Sequence, residues 1–136
     1  MYTDLYRAFL ASDDTLRIYR EKALVFSSDK DRLLPLMDYL SDRQPGEPVT
    51  IFDKIMGNAA ALLAVKANCC EVYSPLGSEL GIKTLKKHNI KYHLDKVVPF
   101  IMRPDGKEMC PMEKLSTGKT PEGFYQEMKS RIEAKA

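Results

Sequence analysis

The sequence predicts an α/β fold in one domain: a mixed, largely parallel sheet of about five strands with helices on both faces. Three observations predict it. Segments of strand period and helical period alternate along most of the chain, and strands separated by helices need the crossover connections that build parallel sheets. Two apolar runs near the start are separated only by Arg20-Glu21-Lys22, which makes an antiparallel hairpin at one edge. The 136 residues contain no internal repeat and no linker long enough to divide them, which suits one domain around one core.

Each element has its own signal. Leu5, Tyr6, Phe9 and Leu10 fall on one side of a short helix that Thr3 or Asp4 is placed to cap. Asp13-Asp14 break that pattern. From Thr15 to Tyr19 the chain alternates, Leu16 and Ile18 on one side and Arg17 and Tyr19 on the other, as in a half-buried strand. Ala23-Leu24-Val25-Phe26 is continuously apolar, which predicts a strand covered on both faces. Pro35 fits the first turn of a helix, and Leu36, Met37 and Leu40 give that helix a stripe ending before Gly46-Glu47-Pro48.

Val49 to Phe52 then reads as a strand, Gly57 to Ala67 as an alanine-rich helix, Cys70 to Tyr73 as a strand and Pro75 to His88 as a helix. Val97 to Met102 reads as a further strand. The turn sequence Arg103-Pro104-Asp105-Gly106 is expected to return it as a short partner strand through Cys110. Pro121 to Ala134 closes the chain as an amphipathic helix with Phe124, Tyr125, Met128 and Ile132 inward and Thr120 as N-cap.

Composition narrows the function. Twenty-one basic residues against 19 acidic leave a net charge of +2, scattered rather than clustered, which argues against a nucleic-acid or membrane surface. The groups Lys83, Lys86, Lys87 and Lys129, Arg131, Lys135 read as solvated helix faces. No run approaches the length of a membrane span and no secretory signal is visible. Cys69, Cys70 and Cys110 make a poor disulfide framework and suit a reducing compartment, so a cytoplasmic protein is expected. His88 and His93 are not at ligand spacing, and no metal or other cofactor is expected. His88 reads as a helix C-terminal residue favoured by the dipole, His93 as a surface one.

In open α/β sheets, ligands sit beyond the carboxyl ends of the strands, where helix N-termini present free N–H groups. Two turns offer this. In Asp53-Lys54-Ile55-Met56-Gly57-Asn58-Ala59-Ala60-Ala61 the helix start is almost bare of side chains, so either a ligand approaches the backbone or the helix packs closely on its neighbours. The second is Ser74-Pro75-Leu76-Gly77-Ser78-Glu79. Cys110-Pro111-Met112-Glu113 is the other unusual peptide: Cys110 is a candidate nucleophile or redox thiol with Glu113 as its partner, or else a small buried side chain.

Asp53-Lys54, Gly57-x-Ala59-Ala60, Ser74 and Cys110-Pro111-Met112-Glu113, with the order of elements, resemble the cytidine deaminase fold and more narrowly the DUF1893 family of unknown function. The resemblance spans residues 15 to 115 and implies a deaminase-like three-layer sandwich without an established activity. A zinc deaminase needs a His or Cys and a Glu at the first helix start and Pro-Cys-x-x-Cys at the second. Gly57, Asn58 and Ala59 stand at the first. If Pro75 matches the motif's proline, Leu76 and Glu79 take the cysteine places, so zinc and its activated water have no seat.

Three functions stay open. In the first, Asp53, Lys54, Gly57, Asn58, Ser74 and Ser78 hold a nucleotide-like or other anionic small molecule without metal. In the second, the chain is a structural or interaction protein with a relic pocket, which predicts an exposed apolar patch and a homo-oligomer. In the third, it is a metal-independent enzyme using Cys110, with Glu113, Asp53 or Lys54 as acid–base partner.

Overall fold

A computed structural model describes residues 2–41 and 46–135. The chain runs α1 (Thr3–Leu10), β1 (Leu16–Arg20), β2 (Ala23–Ser28), α2 (Leu34–Ser41), β3 (Val49–Asp53), α3 (Asn58–Lys66), β4 (Cys69–Ser78), α4 (Glu79–Lys87), β5 (Lys91–Val98), α5 (Pro111–Ser116) and α6 (Pro121–Lys135). The five strands form one mixed sheet in the order β2-β1-β3-β4-β5. β1 pairs antiparallel with both β2 and β3, whereas β3–β4 and β4–β5 are parallel. The hairpin thus supplies one edge, turning through Glu21 and Lys22, both at positive φ as a tight two-residue connection demands.

Strand alternation divides the sheet into two unlike faces. Leu16, Ile18, Val49, Ile51 and Val72 point into the main core beneath α2, α3, α4 and α6. Tyr19 and Phe52 point the other way, into an aromatic cluster with Phe9, Tyr2 and Tyr6 that fixes α1. Helices cover both faces, and among the described residues α1 is the helix packed on the face of Tyr19 and Phe52. α3 is buried from Asn58 to Ala64, which explains its composition: it sits between the sheet and other helices, Ala59, Ala60, Ala61 and Ala64 allowing close approach while Leu62 and Leu63 fill the core. The approach of α4 is closest at Gly81, where an added Cβ would lie 3.0 Å from the backbone carbonyl of Gly57.

Several expectations need correction. β2 is an outer strand with Ala23 and Leu24 exposed, since the hairpin ends the sheet there. α1 has Tyr2 at its N-cap and no side-chain cap from Thr3 or Asp4, its stability coming from the aromatic cluster instead. Residues 75–78, expected to open a helix, extend β4, because Leu76, Gly77 and Ser78 pair with β5 and Met56 bridges Gly77 from the other side. The last strand lies at Lys91–Val98 rather than Val97–Met102. The return strand is reduced to one bridge, Met102 to Met109, after which Pro111 opens a helical turn. α6 is as expected, with Phe124, Tyr125 and Met128 buried and the Gly123 N–H donating to Thr120 Oγ1 at 3.0 Å.

Candidate functional site

The carboxyl ends of β3 and β4 deliver the chain to two helix starts lying side by side. Gly57 N-caps α3 in extended geometry and has no side chain to cap with, so the orphan N–H groups of the first turn need another acceptor. They find it 55 residues downstream: Glu113 Oε1 accepts from the Asn58 N–H at 2.7 Å. Its other oxygen, Oε2, accepts from the Ile101 N–H at 2.7 Å. Glu113 is 2% exposed. A carboxylate set against a helix N-terminus and two backbone donors is a favourable electrostatic arrangement, each such hydrogen bond being worth about 1.5–3 kcal/mol. A Cβ at position 57 would stand 2.9 Å from Glu113 Oε1 and 2.8 Å from Ile101 Cγ1, so the glycine makes room for the chain's own carboxylate.

Asn58 extends the same network. Its Nδ2 donates to Ser116 O at 3.1 Å and Ser116 Oγ at 3.0 Å, and its Oδ1 accepts from Thr84 Oγ1, tying α3 to α5 and α4. Ser78 is fully buried and N-caps α4, accepting from the Gly81 N–H at 3.0 Å. Ser74, also fully buried, donates to Leu76 O at 2.9 Å within its own turn. Gly57, Asn58, Ser78 and Glu113 are therefore brought together around the two helix starts, and Ser74 makes its bonds locally.

Asp53 and Lys54 part company. Asp53 points to the helix-rich side with Val49 and Ile51 and is 8% exposed. Burial raises its carboxyl to about 7, opposed by the backbone N–H groups of Ile55 and Lys54. Lys54 turns to the α1 side, where Nζ donates to Ser12 O at 3.1 Å and lies 4.8 Å from the centre of the Phe9 ring. Cys110 is half-buried at the N-cap of α5, and the Glu113 oxygens nearby are both taken by backbone donors. Cys69 is buried, which pushes its thiol well above the ordinary range, and Cys70 is exposed. Among the described residues, no three His, Cys, Asp or Glu side chains are gathered as a metal site requires.

Sequence reasoning missed two features. The role of Glu113 as the internal anion depends on a contact too distant in sequence to be seen. On the α1 side of β4 and β5, the His93 ring stacks on Tyr73 at 4.2 Å between centroids, and His93 Nε2 lies 2.7 Å from Glu71 Oε2. The register that places Tyr73 beside His93 follows once Lys91–Val98 is recognised as a strand. His88 is at the C-cap of α4, as its position predicted. A shallow depression lies elsewhere, lined by Pro111, Met112, Lys114, Leu115 and Arg131.

The fold and these helix starts define an α/β protein with a five-stranded mixed sheet, whose polar groups beyond the strand ends bond to one another. Among the described residues, no helix is long and apolar enough to cross a membrane. The profile of a domain of unknown function, DUF1893, matches residues 6–131, and the chain belongs to that family. Its structure is similar to the crystal structure of a DUF1893 family protein from Thermotoga maritima: 25% identity, TM-score 0.85, covering 95% of this chain and 88% of that one. No curated protein sequence matches the chain.

Proposed function

We propose that this chain is a non-catalytic interaction domain on a deaminase-like three-layer sandwich, its ancestral ligand position closed from within. The observation that carries the reading is the Glu113 carboxylate at the start of α3. The anion that such a helix end attracts is supplied by the chain, on a short helix delivered by the segment after β5. Ser78 and Asn58, the other polar groups expected to face a ligand, are engaged in capping α4 and in joining α3 to α4 and α5. The same commitment of Glu113 weighs against its use as acid–base partner to Cys110. Exposed Ile55, Val97 and Met102, all near the carboxyl end of the sheet, supply apolar surface for a partner.

The competing reading, a nucleotide-like anion held by Asp53, Lys54, Gly57, Asn58, Ser74 and Ser78, requires Glu113 to withdraw. A thermal-shift screen against nucleosides, nucleotides, inorganic phosphate and divalent metals separates the two. A ligand at a hundred times its dissociation constant adds about 2.7 kcal/mol of stability. The interaction reading expects no shift from any of these compounds. Stabilisation by one nucleotide class, abolished by Asn58→Leu, would replace it with the ligand-binding reading.

A further inference from the structure

The two edges of the sheet are managed differently. β2 breaks register against β1 at Ile18/Tyr19, and α2 packs against it, devices that blunt an edge. β5 has neither Pro nor Gly and keeps one register with β4 from Lys91 to Val98, every residue paired but Asp95 opposite Pro75. Its edge carries only the charges of Lys91, Asp95 and Lys96, and among the described residues no strand lies on its outer side. Its side chains alternate: Tyr92 and Leu94 pack against the main core, while Lys91, His93 and Asp95 lie on the α1 side.

We propose that β5 pairs antiparallel with β5 of a second copy of this chain, across a two-fold axis at His93, joining two sheets into one. A register centred on a residue keeps the helix-covered faces of both copies on the same side, whereas one centred between residues turns them over. Charge selects among the centred registers. With the axis at Asp95 or Lys96, like charges oppose. With the axis at Leu94, Lys91 meets the partner's Val97 and finds no carboxylate. With the axis at His93, Lys91 meets the partner's Asp95 twice by symmetry, and Tyr92 meets the partner's Leu94 on the core side. The contact is isologous, as a closed dimer requires. Asp95 is already oriented toward this face, accepting from Tyr6 Oη at 2.8 Å, and His93 at the axis is held by Glu71. The proposal rests on the interaction reading and names its partner.

Sedimentation analysis of the wild type, K91D, D95K, the K91D/D95K double variant and an equimolar mixture of the two single variants tests it, with circular dichroism as the check on folding. The wild type should dimerise. Opposite charges facing each other on adjacent strands stabilise the pairing and like charges oppose it, and two pairs reverse sign in each single variant, so each should dimerise about tenfold more weakly. The double variant restores the pairs with their signs exchanged, and the mixture restores them between unlike chains, so both should recover wild-type association. A wild type that stays monomeric up to its solubility limit overturns the self-pairing while leaving a different partner in place. A dimer that the single variants leave intact, or that the double variant fails to recover, also overturns it. Failure of the interaction reading itself shows elsewhere, as nucleotide stabilisation in the thermal screen.

Discussion

Replacing Asp53 with Asn should make the protein more stable at alkaline pH than the parent, by an amount that the buried carboxyl sets. Burial lifts this carboxyl from 3.8 to about 7. Between those values the folded chain retains a proton that the unfolded chain has released. Stability from this group is therefore fully present below the unfolded value, falls as pH rises, and is lost once pH passes about 7. At 1.36 kcal/mol per pH step the whole interval is worth roughly 4 kcal/mol, of which roughly 3 kcal/mol falls between pH 5 and 8. Asn cannot ionise, and its Oδ1 still accepts from the Ile55 N–H, a 3.4 Å contact in the parent. Urea unfolding of both proteins at pH 5 and pH 8 gives the measurement. The difference between variant and parent should move in the variant's favour by roughly 3 kcal/mol across that range, other titrating groups cancelling in the comparison. A difference that does not change with pH would refute the reasoning, because it would mean that Asp53 is ionised in the folded protein at pH 5.

The remaining predictions concern the two helix starts and the thiols. Glu113→Gln leaves one side-chain oxygen for two backbone N–H donors, so urea unfolding should show a loss of about 2 kcal/mol. Gly81→Ala sets a Cβ 3.0 Å from the backbone of Met56 and Gly57, which cannot yield as a side-chain tip can; a loss of about 1–3 kcal/mol is expected in the same assay. Ser78→Ala removes the cap of α4 and should cost about 1 kcal/mol, readable as a lower melting temperature. In native alkylation followed by mass spectrometry, exposed Cys70 should react first and buried Cys69 only in denaturant. Modification of Cys110 ahead of Cys70 would favour the enzymatic reading.

The features that were legible in the sequence are those set by local periodicity. Leu16 and Ile18 against Arg17 and Tyr19 separated the two faces of β1, although the strand read as half-buried proves covered on both, Tyr19 being buried in the aromatic cluster. The stripe of α6 with its Thr120 cap was readable to within a residue. What tertiary pairing decides was not legible. Pro75 and the small residues after it look like a helix opening, yet β5 on one side and Met56 on the other hold them extended. The apolar run from Val97 outshone the true alternation of Tyr92 and Leu94 just before it. At the site, the bare start of α3 was visible, and so was the peptide holding Glu113. That the second fills the first is a contact across 55 residues, and no pattern within either segment encodes it.

That contact also makes folding order matter. Every strand of the sheet has been synthesised by residue 98, so the sheet can assemble as the chain emerges. The start of α3, at its centre, has no acceptor for the Asn58 N–H until Glu113 follows. The last quarter of the chain thus acts as a closing clasp. A translation product cut short before it would carry all five strands and still leave the start of α3 without Glu113 and its flank toward α5 and α6 uncovered, the kind of surface that chaperones and proteases recognise.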